Sequence, residues 1–197
     1  MTQKGPVHIN APFEEPLYET VLALSVAVNT VASTNITQTI SIEDVSEYAT
    51  IWNNATKKMI LVGVNEPNAI SKKTITAFAK EESVVVLTET TSNVHHETFI
   101  NTIDTIITPF TKEDFEYFRP EILVTFGGMV VSKRIKTFLR KYKPKHHWHI
   151  DSWRAYDTFG ALTKHFEVTP NVFFDAFLPL TIATESNYFQ QLNAVKV

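Results

Sequence analysis

Cysteine is missing from all 197 residues of the chain. Its absence excludes a disulfide framework, a thiolate-held zinc site, an iron–sulfur cluster and a cysteine nucleophile, and it is the usage of a reducing compartment. A surplus of either charge is missing too. The 18 basic and 21 acidic residues leave a formal charge of −3, which argues against a generic polyanion binder. Long apolar runs are absent: Val21–Leu24, then Ser25, then Val26–Val28 is far too short to cross a bilayer. Glu14, Glu15 and Glu19 precede that run in place of a basic region, so it does not read as a signal peptide. What is present is 44% hydrophobic and 12% aromatic residues with 20% charged, enough apolar material for a core and too little charge for global disorder. At roughly 150 residues per domain the chain holds about one domain, two at most. The expectation is a soluble, cytoplasmic protein without a membrane or nucleic-acid partner.

The beginning does not read as the start of a domain. Residues 5–10, GPVHIN, suggest a short strand, and the two prolines of APFEEPLY over residues 11–18 forbid a helix and favour an extended path. From Ser41 the pattern is regular. Ser41 with Asp44 is a capping-box signal ahead of Val45, Tyr48, Ala49 and Trp52 at helical spacing. Residues 59–64, 84–87, 122–126 and 148–150 are apolar without alternation, with a possible fifth strand over 164–168. Between them lie helical patterns opened by Ser71 and by Thr111 with Asp114, and one that places Ile135, Phe138, Leu139 and Tyr142 on one face. Another spans Phe99 to Ile107, and Thr169–Pro170 opens the last. Alternating helices and doubly buried strands predict an α/β fold: a doubly wound, mainly parallel sheet. The strand order is not legible from this pattern.

In such a sheet ligands sit beyond the carboxyl ends of the strands. There the turn Gly127–Gly128 is followed by Asp151, 24 residues after Gly127, close to the ~20-residue offset of an acid that meets a ribose hydroxyl. The fingerprint breaks at Met129 and Ser132, where glycines are needed, and no GKS or GKT sequence replaces it. Lys133 and Arg134 come next. Two cations in the first turn of a helix oppose its dipole by a few tenths of a kcal/mol each, unless an anion sits among the first N–H groups. The pair therefore suggests a site for a carboxylate or phosphate. Lys136, Arg140, Lys141, Lys143 and Lys145 continue the stripe to seven cations in thirteen residues with no acid between them, which reads as a solvated face. His147, His149 and Asp151 share a strand face at i, i+2 and i+4, either a three-ligand metal set or satisfied polar side chains. His95–His96 reads as helix-start surface. No Gly-x-Ser-x-Gly elbow or HExxH motif occurs.

Three stretches resemble one known family. GPVHINAPFEEPLY over residues 5–18, Phe126–Gly127–Gly128 followed by Ser132–Lys133–Arg134, and Trp148–His149–Ile150–Asp151 are similar to segments of the thiamine-diphosphate-dependent 2-succinyl-5-enolpyruvyl-6-hydroxy-3-cyclohexene-1-carboxylate synthases, the MenD family. These transferases serve the biosynthesis of menaquinone (vitamin K2). The resemblance implies a Rossmann-like central domain. Residues 1–18 would then be the last strand and linker from an N-terminal pyrimidine-binding domain. Residues 19–180 would form the central domain, and 181–197 a linker toward a diphosphate-binding domain. It further implies that the parent enzyme, a homo-oligomer (dimer or tetramer), decarboxylates 2-oxoglutarate and adds the succinyl semialdehyde unit to isochorismate, using thiamine diphosphate with Mg²⁺ or Mn²⁺. The family's Gly-Asp-Gly metal motif is absent from the five glycines here, at 5, 63, 127, 128 and 160. The segment alone is therefore expected to be inactive, with no cofactor, metal or catalytic residue of its own. Its expected site residues are Lys133 and Arg134, which in the family meet substrate carboxylates. The alternative is an independent small α/β module that binds a nucleotide through Gly127–Gly128.

Overall fold

The computed structural model describes residues 8–13, 18, 20, 22, 23, 26, 27 and 38–195. The chain divides into two units, residues 1–37 and 38–197. In the first, the described residues form no helix or strand. The strand expected over residues 5–10 lies partly outside the described residues, and His8, Ile9 and Asn10 are not in a strand. A strand exists as one side of a ladder, and the motif by itself supplies no second side.

The second unit is built on five parallel strands, β1 (Lys58–Val62), β2 (Val84–Leu87), β3 (Ile122–Phe126), β4 (His146–Ile150) and β5 (Lys164–Phe166), in the order β2-β1-β3-β4-β5. Among the described residues seven α-helices accompany them: α1 (Ile42–Asn54), α2 (Lys72–Ala79), α3 (Ile103–Ile107), α4 (Lys112–Tyr117), α5 (Lys133–Lys141), α6 (Pro170–Phe177) and α7 (Tyr188–Ala194). Alternate residues of each strand feed opposite layers. Ile60, Val62, Val124, Phe126, Trp148 and Ile150 join α1, α2 and α6 in one core. Met59, Leu61, Val85, Leu87 and Leu123 join α3, α5 and α7 in the other. The doubly wound α/β expectation holds, and every residue of β1, β2 and β3 is buried. Among the described residues no helix is long and apolar enough to cross a membrane.

Local chemistry explains the helix starts. Ser41 and Asp44 cap each other at α1, as do Thr111 and Asp114 at α4, and Ser71 caps α2 by accepting from the Thr74 N–H. Three expectations change. The helical pattern from Phe99 yields a helix only over Ile103–Ile107, because Ile100 extends the sheet edge: its N–H donates to the Val86 carbonyl and its own carbonyl accepts from Thr88. No helix begins at His95–His96 either, and the His96 ring turns back to Thr98. The stretch after residue 180, expected as a linker, packs onto the domain. Tyr188 and Leu192 are buried, the Tyr188 hydroxyl donates to the Phe118 carbonyl at 2.9 Å, and Lys58 Nζ donates to Thr184 Oγ1 at 3.0 Å.

Candidate functional site

The strand order changes direction at β1, since β2 lies on one side of it and β3 on the other. The crevice outside the carboxyl ends at such a point is where open α/β sheets place their ligands. A cavity of about 140 Å³ opens there, among Gly63, Thr125, Gly127, His149, Asp151 and Arg154.

The glycines do not shape it for a diphosphate. A Cβ at Gly63 would lie 1.9 Å from the Gly128 carbonyl oxygen, and one at Gly127, where φ is +80°, would lie 2.5 Å from Asn65 Nδ2. The Gly128 N–H donates to the Val64 carbonyl at 2.7 Å. These residues are glycines because the turns after β1 and β3 touch backbone to backbone, and an N–H that a phosphate needs is already bonded. Asp151 is likewise engaged: its Oδ1 accepts from the Trp153 and Arg154 N–H groups at 2.7 and 2.9 Å, an Asx turn that ends β4. The dinucleotide reading of this turn therefore fails on geometry. For the same reasons this turn offers no cradle that fits thiamine diphosphate.

His147 and His149 do share a face, and Thr125 joins them. Its hydroxyl lies 2.9 Å from His147 Nε2 and 2.8 Å from His149 Nδ1. One hydroxyl proton can serve one ring, so the other ring must donate. His147 Nδ1 is buried without a partner, and a bare ring nitrogen is less costly to orphan than an N–H. That places the His147 proton on Nε2, donated to Thr125, while Thr125 donates to His149 and leaves the His149 proton on Nε2. Burial pushes His147 down to about 4, with His149 adding to the fall and Asp157 opposing it. Burial also lowers His149, which Asp151 opposes and His165 reinforces. His147, His149 and Asp151 do not assemble as the ligand set their spacing suggests. Among the described residues no group of three His, Asp or Glu side chains converges on a metal position.

Lys133 and Arg134 are exposed and lie outside this cavity. They flank a separate hollow against Phe110, Phe138 and Tyr142. The helix start they occupy differs from the sequence expectation in one respect: the N–H groups of Val131, Ser132 and Ile135 are already bonded within the chain. The Glu89 carboxylate, from the loop after β2, accepts from the Val131 N–H (2.8 Å to Oε2, 3.1 Å to Oε1) and from the Ser132 N–H at 2.7 Å. The Ser132 hydroxyl accepts from the Ile135 N–H at 3.2 Å and donates to Asp104. The anion that offsets the two cations against the helix dipole is thus the chain's own. Sequence reasoning missed Glu89, 43 residues before Ser132, because nothing local links them. Its one signal is its position two residues after β2, at the ligand-bearing edge. Arg154 was missed as well. Its guanidinium lies 4.3 Å from the Trp153 ring centre and 4.7 Å from that of Tyr156.

Residues 31–192 match the family model described as the middle domain of thiamine pyrophosphate. The chain is 57% identical over 194 residues to the 2-succinyl-5-enolpyruvyl-6-hydroxy-3-cyclohexene-1-carboxylate synthase of Flavobacterium johnsoniae, covering 98% of this chain and 35% of that protein. With the synthase of the same name from Flavobacterium psychrophilum it shares 60% over 187 residues, 95% of this chain and 34% of that one. With that of Porphyromonas gingivalis it shares 34% over 166 residues, 84% and 28% respectively. The chain spans about a third of the length of these curated relatives.

Proposed function

Because the chain belongs to the family of thiamine pyrophosphate middle domains, we propose that it is the central domain of a 2-succinyl-5-enolpyruvyl-6-hydroxy-3-cyclohexene-1-carboxylate synthase. The observation that carries this reading is the identity of 57–60% over nearly the whole chain with synthases of that name. In it the parent enzyme is a homo-oligomer in the cytoplasm that decarboxylates 2-oxoglutarate and adds the resulting four-carbon unit to isochorismate. Thiamine diphosphate, with Mg²⁺ or Mn²⁺, supplies the carbanion chemistry when bound, and its ligands belong to flanking domains.

The domain itself contributes scaffold and charge. Both substrates are polycarboxylates at neutral pH, so a cationic clamp is needed, and Lys133 and Arg134 supply it: exposed, adjacent, and set at the ligand edge of a rigid sheet. The guanidinium of Arg134 suits two-pronged carboxylate binding. Calorimetric titration of the isolated chain distinguishes this reading from an independent nucleotide module. Thiamine diphosphate with Mg²⁺ should give no saturable heat, and NAD, FAD and ADP should leave the melting temperature unchanged. A micromolar dissociation constant, ~8 kcal/mol of binding, for any of these would refute it.

A further inference from the structure

We infer that Glu89 is a positioning residue for Lys133 and Arg134: its carboxylate fixes where the first turn of α5 begins and so where the two cations are presented. The inference rests on the proposed role of that pair. Beyond the Gly127–Gly128 turn, which the Val64 carbonyl fixes at 2.7 Å, the stretch before α5 has little packing to hold it. Met129 and Val131 are 77% and 66% exposed, and of its hydrophobic residues Val130 packs against the core. Hydrogen bonds therefore carry the placement: Lys136 Nζ donates to the Val130 carbonyl at 3.1 Å, the Ser132 hydroxyl donates to Asp104, and Glu89 accepts from the N–H groups of both Val131 and Ser132. Glu89 is itself pinned. Its N–H donates to Ser92 Oγ at 2.9 Å, and the fully buried Ser92 hydroxyl donates to the Val62 carbonyl at 2.7 Å, at the end of β1. A line of hydrogen bonds thus runs from β1 to the residue preceding Lys133.

Charge alone would disfavour this arrangement. Glu89, like Asp104 beside Ser132, puts a negative group next to cations meant for an anionic substrate, so a purely electrostatic site would do better without it. Geometry supplies the reason for keeping it. A carboxylate that accepts two backbone N–H groups at a helix start holds that start with charge-assisted bonds, and displacement of a binding group by an ångström costs up to ~10²-fold in rate.

The test is a double-mutant cycle in the full-length synthase, with steady-state kinetics for both substrates and melting curves for each variant. Glu89→Ala should raise KM about tenfold for the substrate that Arg134→Ala weakens. Glu89→Gln should recover most of that loss, because its amide oxygen at the Oε1 position still accepts from both N–H groups, as Oε1 does at 2.7 and 3.1 Å, once the amide nitrogen turns away from the Val131 N–H that Oε2 served. Glu89→Ala combined with Arg134→Ala should be no worse than Arg134→Ala alone, the two acting as one unit. The inference is overturned if Glu89→Ala leaves KM unchanged or lowers it, if Gln is as harmful as Ala, or if the two losses multiply. Wild-type kinetics in Arg134→Ala alone would instead remove the clamp reading, and with it the premise for Glu89.

Discussion

Acidification should unfold the domain partly through one histidine. His147 is 1% exposed, held neutral between Thr125 and the Phe159 ring, and burial depresses it from 6.5 to about 4. A base whose folded value lies below its unfolded value contributes stability that is complete above pH ~6.5 and declines as pH falls toward ~4, because the unfolded chain takes up the proton first. The full span is worth about 3 kcal/mol. Between pH 7.5 and 5.0 about 2 kcal/mol should be lost, roughly 4–8 °C in melting temperature for a domain of this size. His146 and His149 are depressed in the same direction and steepen the decline, so the quantity to read is a difference. His147→Gln keeps a polar partner for Thr125 and cannot charge. Urea unfolding at both pH values should show the variant losing about 2 kcal/mol less than wild type over the interval. Equal losses in the two proteins would refute the assignment of His147 as a buried neutral base.

Two further substitutions probe the frame around the site. Gly63→Ala should destabilise by about 3 kcal/mol, since its Cβ would meet the Gly128 carbonyl oxygen at 1.9 Å and backbone cannot yield as a side chain can; an unchanged urea midpoint would contradict the close contact. Lys58 is fully buried, donates to Ser83 and Thr184 at 2.8 and 3.0 Å and lies 3.6 Å from Glu81. Lys58→Ala should therefore cost about 3–5 kcal/mol, and Lys58→Met, which keeps the stem, clearly less. Equal costs would mean that the ammonium alone, and not the packing of its stem, accounts for the loss.

What was legible in the sequence was local or doubly enforced. Residues 84–87 and 122–126 read as strands because both faces are covered, so the runs are apolar but for Thr125, whose hydroxyl is bonded within the sheet. The caps at Ser41 and Thr111 need only a partner three residues away. Long-range partners defeated the reading. Phe99 and Ile100 fit a helical spacing, yet Ile100 is claimed by Val86 and Thr88 at the sheet edge. The stretch after residue 180 has few apolar residues, and two of them, Tyr188 and Leu192, suffice to anchor a short helix. Lys133 and Arg134 were legible as a pair of cations set against a helix dipole. A carboxylate at that helix start, Glu89, arrives from the loop after β2, a partner that no local pattern reveals.

The central claim, that this domain presents Lys133 and Arg134 to substrate carboxylates, is tested most directly by the kcat/KM of Arg134→Ala in the full-length synthase, with Arg140→Ala as the control. Arg140 lies on the same helix but donates its Nε–H to the Thr158 carbonyl at 2.8 Å, away from the first turn. Loss of a charge-assisted contact is worth ~1.5–3 kcal/mol. Arg134→Ala should therefore lower kcat/KM for at least one substrate by roughly one to two decades, with stability unchanged and Arg140→Ala near wild type. Wild-type kcat/KM for both 2-oxoglutarate and isochorismate in Arg134→Ala would contradict the account and leave the pair as a solvated helix start.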